Sequence, residues 1–134
     1  MDTSMEYIKM CKKAEEIQDT KWLSAKGREY PWEEGDLFSL KNNVQMYDSC
    51  SHSEGFIEPD IYNTSCIWLP SQEQLQDMVI IEYKHFYALL DVFHMWSIQP
   101  TLDRNLIESM EQLWLAFVMK EKYNKVWNGE DWGK

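Results

Sequence analysis

The chain has 134 residues, 44% of them hydrophobic and 14% aromatic, and a formal net charge of −10. That length suits one domain with a real core, since domains usually run to about 100–150 residues, and the hydrophobic share excludes a disordered or fibrous chain. The longest apolar run, Leu113–Met119, is far shorter than the roughly 20 residues of a membrane span. With no charged-then-apolar leader at the start, the expectation is a cytoplasmic protein without membrane contact.

Three stretches fit the capping box: Thr3-Ser4-Met5-Glu6, Ser71-Gln72-Glu73-Gln74 and Ser109-Met110-Glu111-Gln112. In that motif a hydroxyl accepts a hydrogen bond from the amide three residues on, and a Glu or Gln side chain returns a bond to the cap amide. The first box predicts a helix over about 4–19, with Tyr7, Ile8, Cys11, Ala14 and Ile17 on one stripe. Pro31 and Gly35 break that pattern around Trp32. Leu37–Lys41 and Val44–Tyr47 read as short strands turning about Asn42-Asn43, because Asn tolerates left-handed turn conformations. Residues 48–60, rich in Ser, Asp, Glu, Gly and Pro, read as a loop.

Cys66–Leu69 is a third β-prone run, stopped by Pro70, which cannot donate to a ladder. From Ser71 a helical period runs through Leu75, Met78, Val79, Tyr83, Phe86, Tyr87, Leu90, Phe93 and His94 to about residue 97, as one helix or as two with a kink near 80. The strongest helix is 110–123. Met110, Leu113, Trp114, Phe117 and Val118 form its stripe, and Leu115 and Met119 lie outside it, so this helix should be touched on several sides. The tail, 125–134, has no period and should be ordered only where its tryptophans find pockets. The expected architecture is a single α+β domain: an N-terminal helix, a small antiparallel sheet of about three strands, then two or three helices.

The charge is unevenly spread. Residues 1–30 balance six acids with six bases, residues 83–134 hold seven acids and six bases, and residues 31–82 hold ten acids against Lys41 alone. A field of that sign repels phosphates, so direct nucleic-acid binding is disfavoured. It suits a solvated surface, a basic protein partner, or an inhibitor that imitates DNA. Three scattered cysteines, Cys11, Cys50 and Cys66, do not make a disulfide framework and fit a reducing compartment.

Candidate chemistry is sparse. Cys50, His52, Cys66, His85 and His94 lack the tight ligand pairs of a zinc site. Cys50 stands among Asp48, Glu54 and Asp60, whose charges oppose a thiolate. No phosphate-cradling glycine loop or hydrolase motif is present, and no metal or cofactor is expected. A metal-dependent hydrolase using the acidic loop and His52 is the weakest reading. The distinctive asset is seven Trp, seven Tyr and five Phe. Most must be core, but Trp and Tyr carry a polar tip that favours interfaces. The expected partner surface therefore combines Trp32, Glu33, Glu34, Asp36, Trp68, Trp127 and Trp132. The competing expectation is that these tryptophans plug gaps between elements.

Three blocks, 6–18 (EYIKMCKKAEEIQ), 67–76 (IWLPSQEQLQ) and 111–127 (EQLWLAFVMKEKYNKVW), resemble a group of small uncharacterised proteins encoded in phages and prophages of Gram-positive bacteria. The resemblance implies a bacterial host cytoplasm and a phage-related role, and it implies no activity. Together these readings predict a non-enzymatic protein that binds another protein and leaves homo-oligomers open.

Overall fold

The structure, a computed structural model, describes residues 1–23, 32–48 and 66–134. It is an α+β fold that divides into two compact units, residues 3–69 and residues 1–2 with 70–134.

In the first unit, helix α1 (Met5–Lys13) starts one residue later than the Thr3 motif suggests. Ser4 is the N-cap, and its Oγ accepts from the Tyr7 N–H at 3.2 Å. The expected single helix over 4–19 is two: the chain breaks at Ala14 (φ −86°, ψ 69°) and resumes as α2 (Glu15–Leu23). The predicted stripe is nevertheless the buried one, with Tyr7, Ile8, Cys11, Ala14 and Ile17 all at most 3% exposed. Strands β1 (Leu37–Leu40), β2 (Asn43–Met46) and β3 (Cys66–Leu69) form an antiparallel sheet in the order β2-β1-β3. The β1–β2 turn sits one residue earlier than expected. Lys41 and Asn42 both take positive φ (52° and 67°), the backbone that a tight two-residue hairpin demands.

Helix α1 packs on β3, and the edge of β3 is closed by a side chain. The Gln18 carboxamide on α2 accepts from the Trp68 N–H (2.8 Å) and donates to the Trp68 carbonyl (3.0 Å). That amide supplies both bonds that a fourth strand would otherwise give at Trp68.

The second unit carries α3 (Gln72–Ile80), α4 (Phe86–Ser97), a 3₁₀ turn (Arg104–Leu106), α5 (Met110–Tyr123) and a two-stranded hairpin of β4 (Val126–Trp127) and β5 (Trp132–Gly133). The Ser71 capping box forms in full, with the Gln74 side chain returning its bond to the cap amide at 2.9 Å. The long periodic stretch is two helices. α3 stops at Ile80, and α4 begins with His85 as its N-cap, where Nδ1 accepts from the Ala88 N–H at 3.2 Å. α5 spans the expected residues, capped by Ser109 and ended by Asn124 in the left-handed region (φ 53°). It is the centre of this unit: Trp114, Leu115, Phe117, Val118 and Met119 are all buried, and only Met110 of the expected stripe is exposed. At the start of α5, the Asp2 carboxylate accepts from Ser109 Oγ and from Gln112 Nε2 (2.8 Å).

The tail folds as a hairpin because its ends satisfy each other locally. Asn128 Oδ1 accepts from the Glu130 and Asp131 amides (both 2.8 Å), Gly129 takes φ 98°, and the cross-strand rings of Trp127 and Trp132 lie 5.0 Å apart.

Candidate functional site

Trp32, Glu33, Glu34, Asp36 and Trp68 fall in the first unit, and Trp127 and Trp132 in the second. The structure corrects the exposed role given to most of them. All four tryptophans are buried, at most 6% exposed. Trp32 stacks obliquely on Phe38 (5.3 Å between centroids), and Trp127 and Trp132 cover one another. Such burial has a physical reason, because an indole surrounded by apolar neighbours stabilises more than one left in water.

Asp36 is no part of a charged surface either. It is buried, with Oδ2 2.5 Å from Lys21 Nζ and accepting from the Glu33 N–H at 2.9 Å. Lys21, also buried, lies 4.8 Å from the centre of the Trp68 ring and 6.0 Å from that of Trp32. The ammonium is thus held by a carboxylate on one side and ring faces on another. Of the predicted acidic set, Glu33 and Glu34 are the exposed pair. Nearby, the Tyr47 phenol is pushed above its usual value by burial and then by Glu34 and Asp48.

The nucleophile and metal expectations divide. Cys50, His52, Glu54 and Asp60 lie outside the described residues. Cys66 is a buried core thiol, pushed up to about 11 by burial, and Cys11 is buried too. A thiol so placed is a packing group rather than a nucleophile. Among the described residues no group of three or more His, Cys, Asp or Glu side chains could hold a metal. No helix among them is long and apolar enough to cross a membrane.

The surface that sequence reasoning missed is α4. Its residues are Phe-Tyr-Ala-Leu-Leu-Asp-Val-Phe-His-Met-Trp-Ser, with Asp91 as the sole formal charge. A helix apolar all round is ordinarily buried, yet only Leu89 is. The inward seam is Leu89, Phe93 and Trp96: Phe93 stacks flat on Trp114 (3.9 Å, 4° between planes), and Trp96 meets Phe117 edge-on at 5.2 Å. Phe86, Tyr87, Leu90, Val92 and Met95 point to solvent, with Tyr87 77% and Met95 56% exposed. Of the helical period expected from Leu75 to His94, Leu75, Val79 and Phe93 do face inward, whereas Phe86, Tyr87, Leu90 and His94 are exposed. A signal was present in the sequence: an apolar helix bearing one acid has more faces than one neighbour can cover.

Beyond α4 the chain is pinned back on the helix. The Arg104 guanidinium donates through Nε and Nη2 to the Ser97 carbonyl (both 3.2 Å), neutralising the helix's negative end. Between this connection, α5 and β4 lies a cleft of about 320 Å³, walled by Trp96, Leu102, Leu106, Ile107 and Trp127 with Lys120 and Lys125 among its lining.

No protein-family model, no curated protein and no solved structure matches this chain.

Proposed function

We propose that this protein acts by binding another protein chain, without chemistry of its own, and that α4 is its contact surface. The carrying observation is the mismatch on α4: an apolar helix with a single formal charge, of which Phe86, Tyr87, Leu90, Val92 and Met95 face water. Exposed apolar patches of several hundred Å² mark interaction sites in soluble proteins. The exposed Glu33–Glu34 pair supplies local negative charge, and a chain of net charge −10 favours approach by a neutral or basic surface. The buried Cys66 thiol supports a role without nucleophilic catalysis. The phage-related setting implied by the three sequence blocks belongs to the same proposal.

Photo-crosslinking tests it. A benzophenone amino acid is placed at Tyr87 or Met95 on α4, and at the exposed Glu73 on α3 as a control, in cells making the protein. Adducts of discrete mass from positions 87 and 95, and none from 73, are the expected result. Adducts that are absent from α4, or equally abundant from Glu73, refute the assignment.

A further inference from the structure

We propose that the chain docked on α4 is a second copy of this protein, with the two α4 helices antiparallel about a two-fold axis; this rests on the reading of α4 as a contact surface. Charge is the first argument. At −10 the chain repels itself, but residues 85–102 contain one Asp and no Glu, Lys or Arg. Two copies can approach here with little Coulombic penalty. A membrane surface is a poorer occupant, because interfacial helices carry a basic polar face and this one carries none.

The seam is the second argument. At about 100° per residue, Tyr87, Asp91, His94 and Ile98 follow one another at steps of four, three and four, the spacing of a helix-pair seam. All four are exposed, and they lie opposite the inward Leu89–Phe93–Trp96 seam. An antiparallel two-fold centred between Val92 and Phe93 sets Tyr87 against Ile98 of the partner subunit and Asp91 against His94 of the partner subunit. The carboxylate and the imidazole of the outer seam thus meet reciprocally. The carboxylate accepts from the imidazole N–H twice per interface, and each bond removes an uncompensated polar group from the buried strip. Leu90 and Met95 flank the seam on opposite sides, so that each lies on the same side as its symmetry mate.

Area sets the strength. Tyr87, Met95, Ile98 and Leu90 are 77%, 56%, 49% and 37% exposed. At about 150–200 Å² for a large side chain, that is about 300–450 Å² of apolar surface per copy. With the polar pair and neighbouring edges, the total approaches the roughly 1,000 Å² floor of a specific interface. The dimer is therefore weak and reversible, with a dissociation constant of about micromolar or above.

Sedimentation equilibrium over a wide concentration range tests this on wild type, Asp91→Arg, His94→Asp and the double variant Asp91→Arg/His94→Asp. Circular dichroism confirms the fold of each. A reversible monomer–dimer equilibrium is expected for wild type. Each single variant should weaken it by about tenfold or more, because symmetry counts every change twice, and the swapped double variant should recover most of that loss. A wild type monomeric throughout overturns the self-pairing. So does a dimer indifferent to both substitutions, or a double variant no better than the singles. Adducts at positions 87 and 95 to a different protein, with wild type monomeric, overturn only the self-pairing. A dimer without any α4 adduct overturns the α4 reading as well.

Discussion

Replacing Asp36 with Asn keeps the side-chain shape and removes its charge, which leaves the Lys21 ammonium buried beside an amide. The two ions are 2.5 Å apart and both side chains are almost wholly out of water. At an effective dielectric constant of about 20, Coulomb attraction at that separation is about 6–7 kcal/mol, and desolvating both ions offsets much of it. Breaking such a pair from one side costs about 3–5 kcal/mol, because the remaining charge is stranded, whereas apolar replacement of both partners is often near neutral. Asp36→Asn, Asp36→Leu and Lys21→Met should therefore each destabilise by about 3 kcal/mol, and Lys21→Met/Asp36→Leu, which closes the cycle with the last two, by about 1 kcal/mol or less. Urea unfolding followed by tryptophan fluorescence is the assay, since Trp68 and Trp32 both neighbour the Lys21 ammonium. The discriminating quantity is the coupling between sites: at least about 2 kcal/mol from a double-mutant cycle. Single losses below about 1 kcal/mol, or additive ones, would show that water reaches the pair and that the buried-ion reasoning is wrong.

Three further outcomes follow from burial and charge. Iodide should quench little of the emission from Trp32, Trp68, Trp114, Trp127 and Trp132, all nearly inaccessible; strong quenching that urea does not increase would contradict their placement. Ellman's reagent at neutral pH should react slowly with Cys11 and Cys66 in the folded chain and quickly with all three cysteines in urea, because burial shields both and the Cys66 thiol, held near 11, offers almost no thiolate; equally fast reaction of Cys66 before and after unfolding would contradict its burial. The Tyr83 phenol, pushed up to about 12 by burial, by its hydrogen bond to Glu121 Oε2 (3.1 Å) and by the Glu121 and Glu82 charges, holds its proton where the unfolded chain has lost it. Its contribution is intact below about pH 10 and disappears between about 10 and 12, so the urea midpoint should fall over that window. Tyr83→Phe should flatten the fall; an unchanged slope would remove Tyr83 from the account.

Local chemistry was legible in the sequence because the groups involved are neighbours along the chain. The Ser71 and Ser109 caps each join residues three apart, Pro70 stops β3 where a missing amide would stop it, and α5 declares itself central by being apolar off its own stripe. Even near misses were local: the cap moved from Thr3 to Ser4, and the hairpin turn by one residue. The helix breaks were legible only in part: a break near 80 was one of two alternatives, and the one at Ala14 was not foreseen. Ala14 is a strong helix former, and His85 is not among the usual cap residues; the backbone leaves the helix at both places even so.

What only the tertiary structure decided is which side chains meet water. Trp32 and Trp68 lie on different strands or loops from the Lys21 that sits against both rings, and Asp36 looked like one acid among ten until Lys21, fifteen residues earlier, was folded onto it. A sequence records that a side chain is apolar or charged, but burial depends on how many neighbours reach it from elsewhere in the chain. Enough of them surround the indoles to close them off. α4 receives them along a single seam, and the rest of that helix remains in solvent.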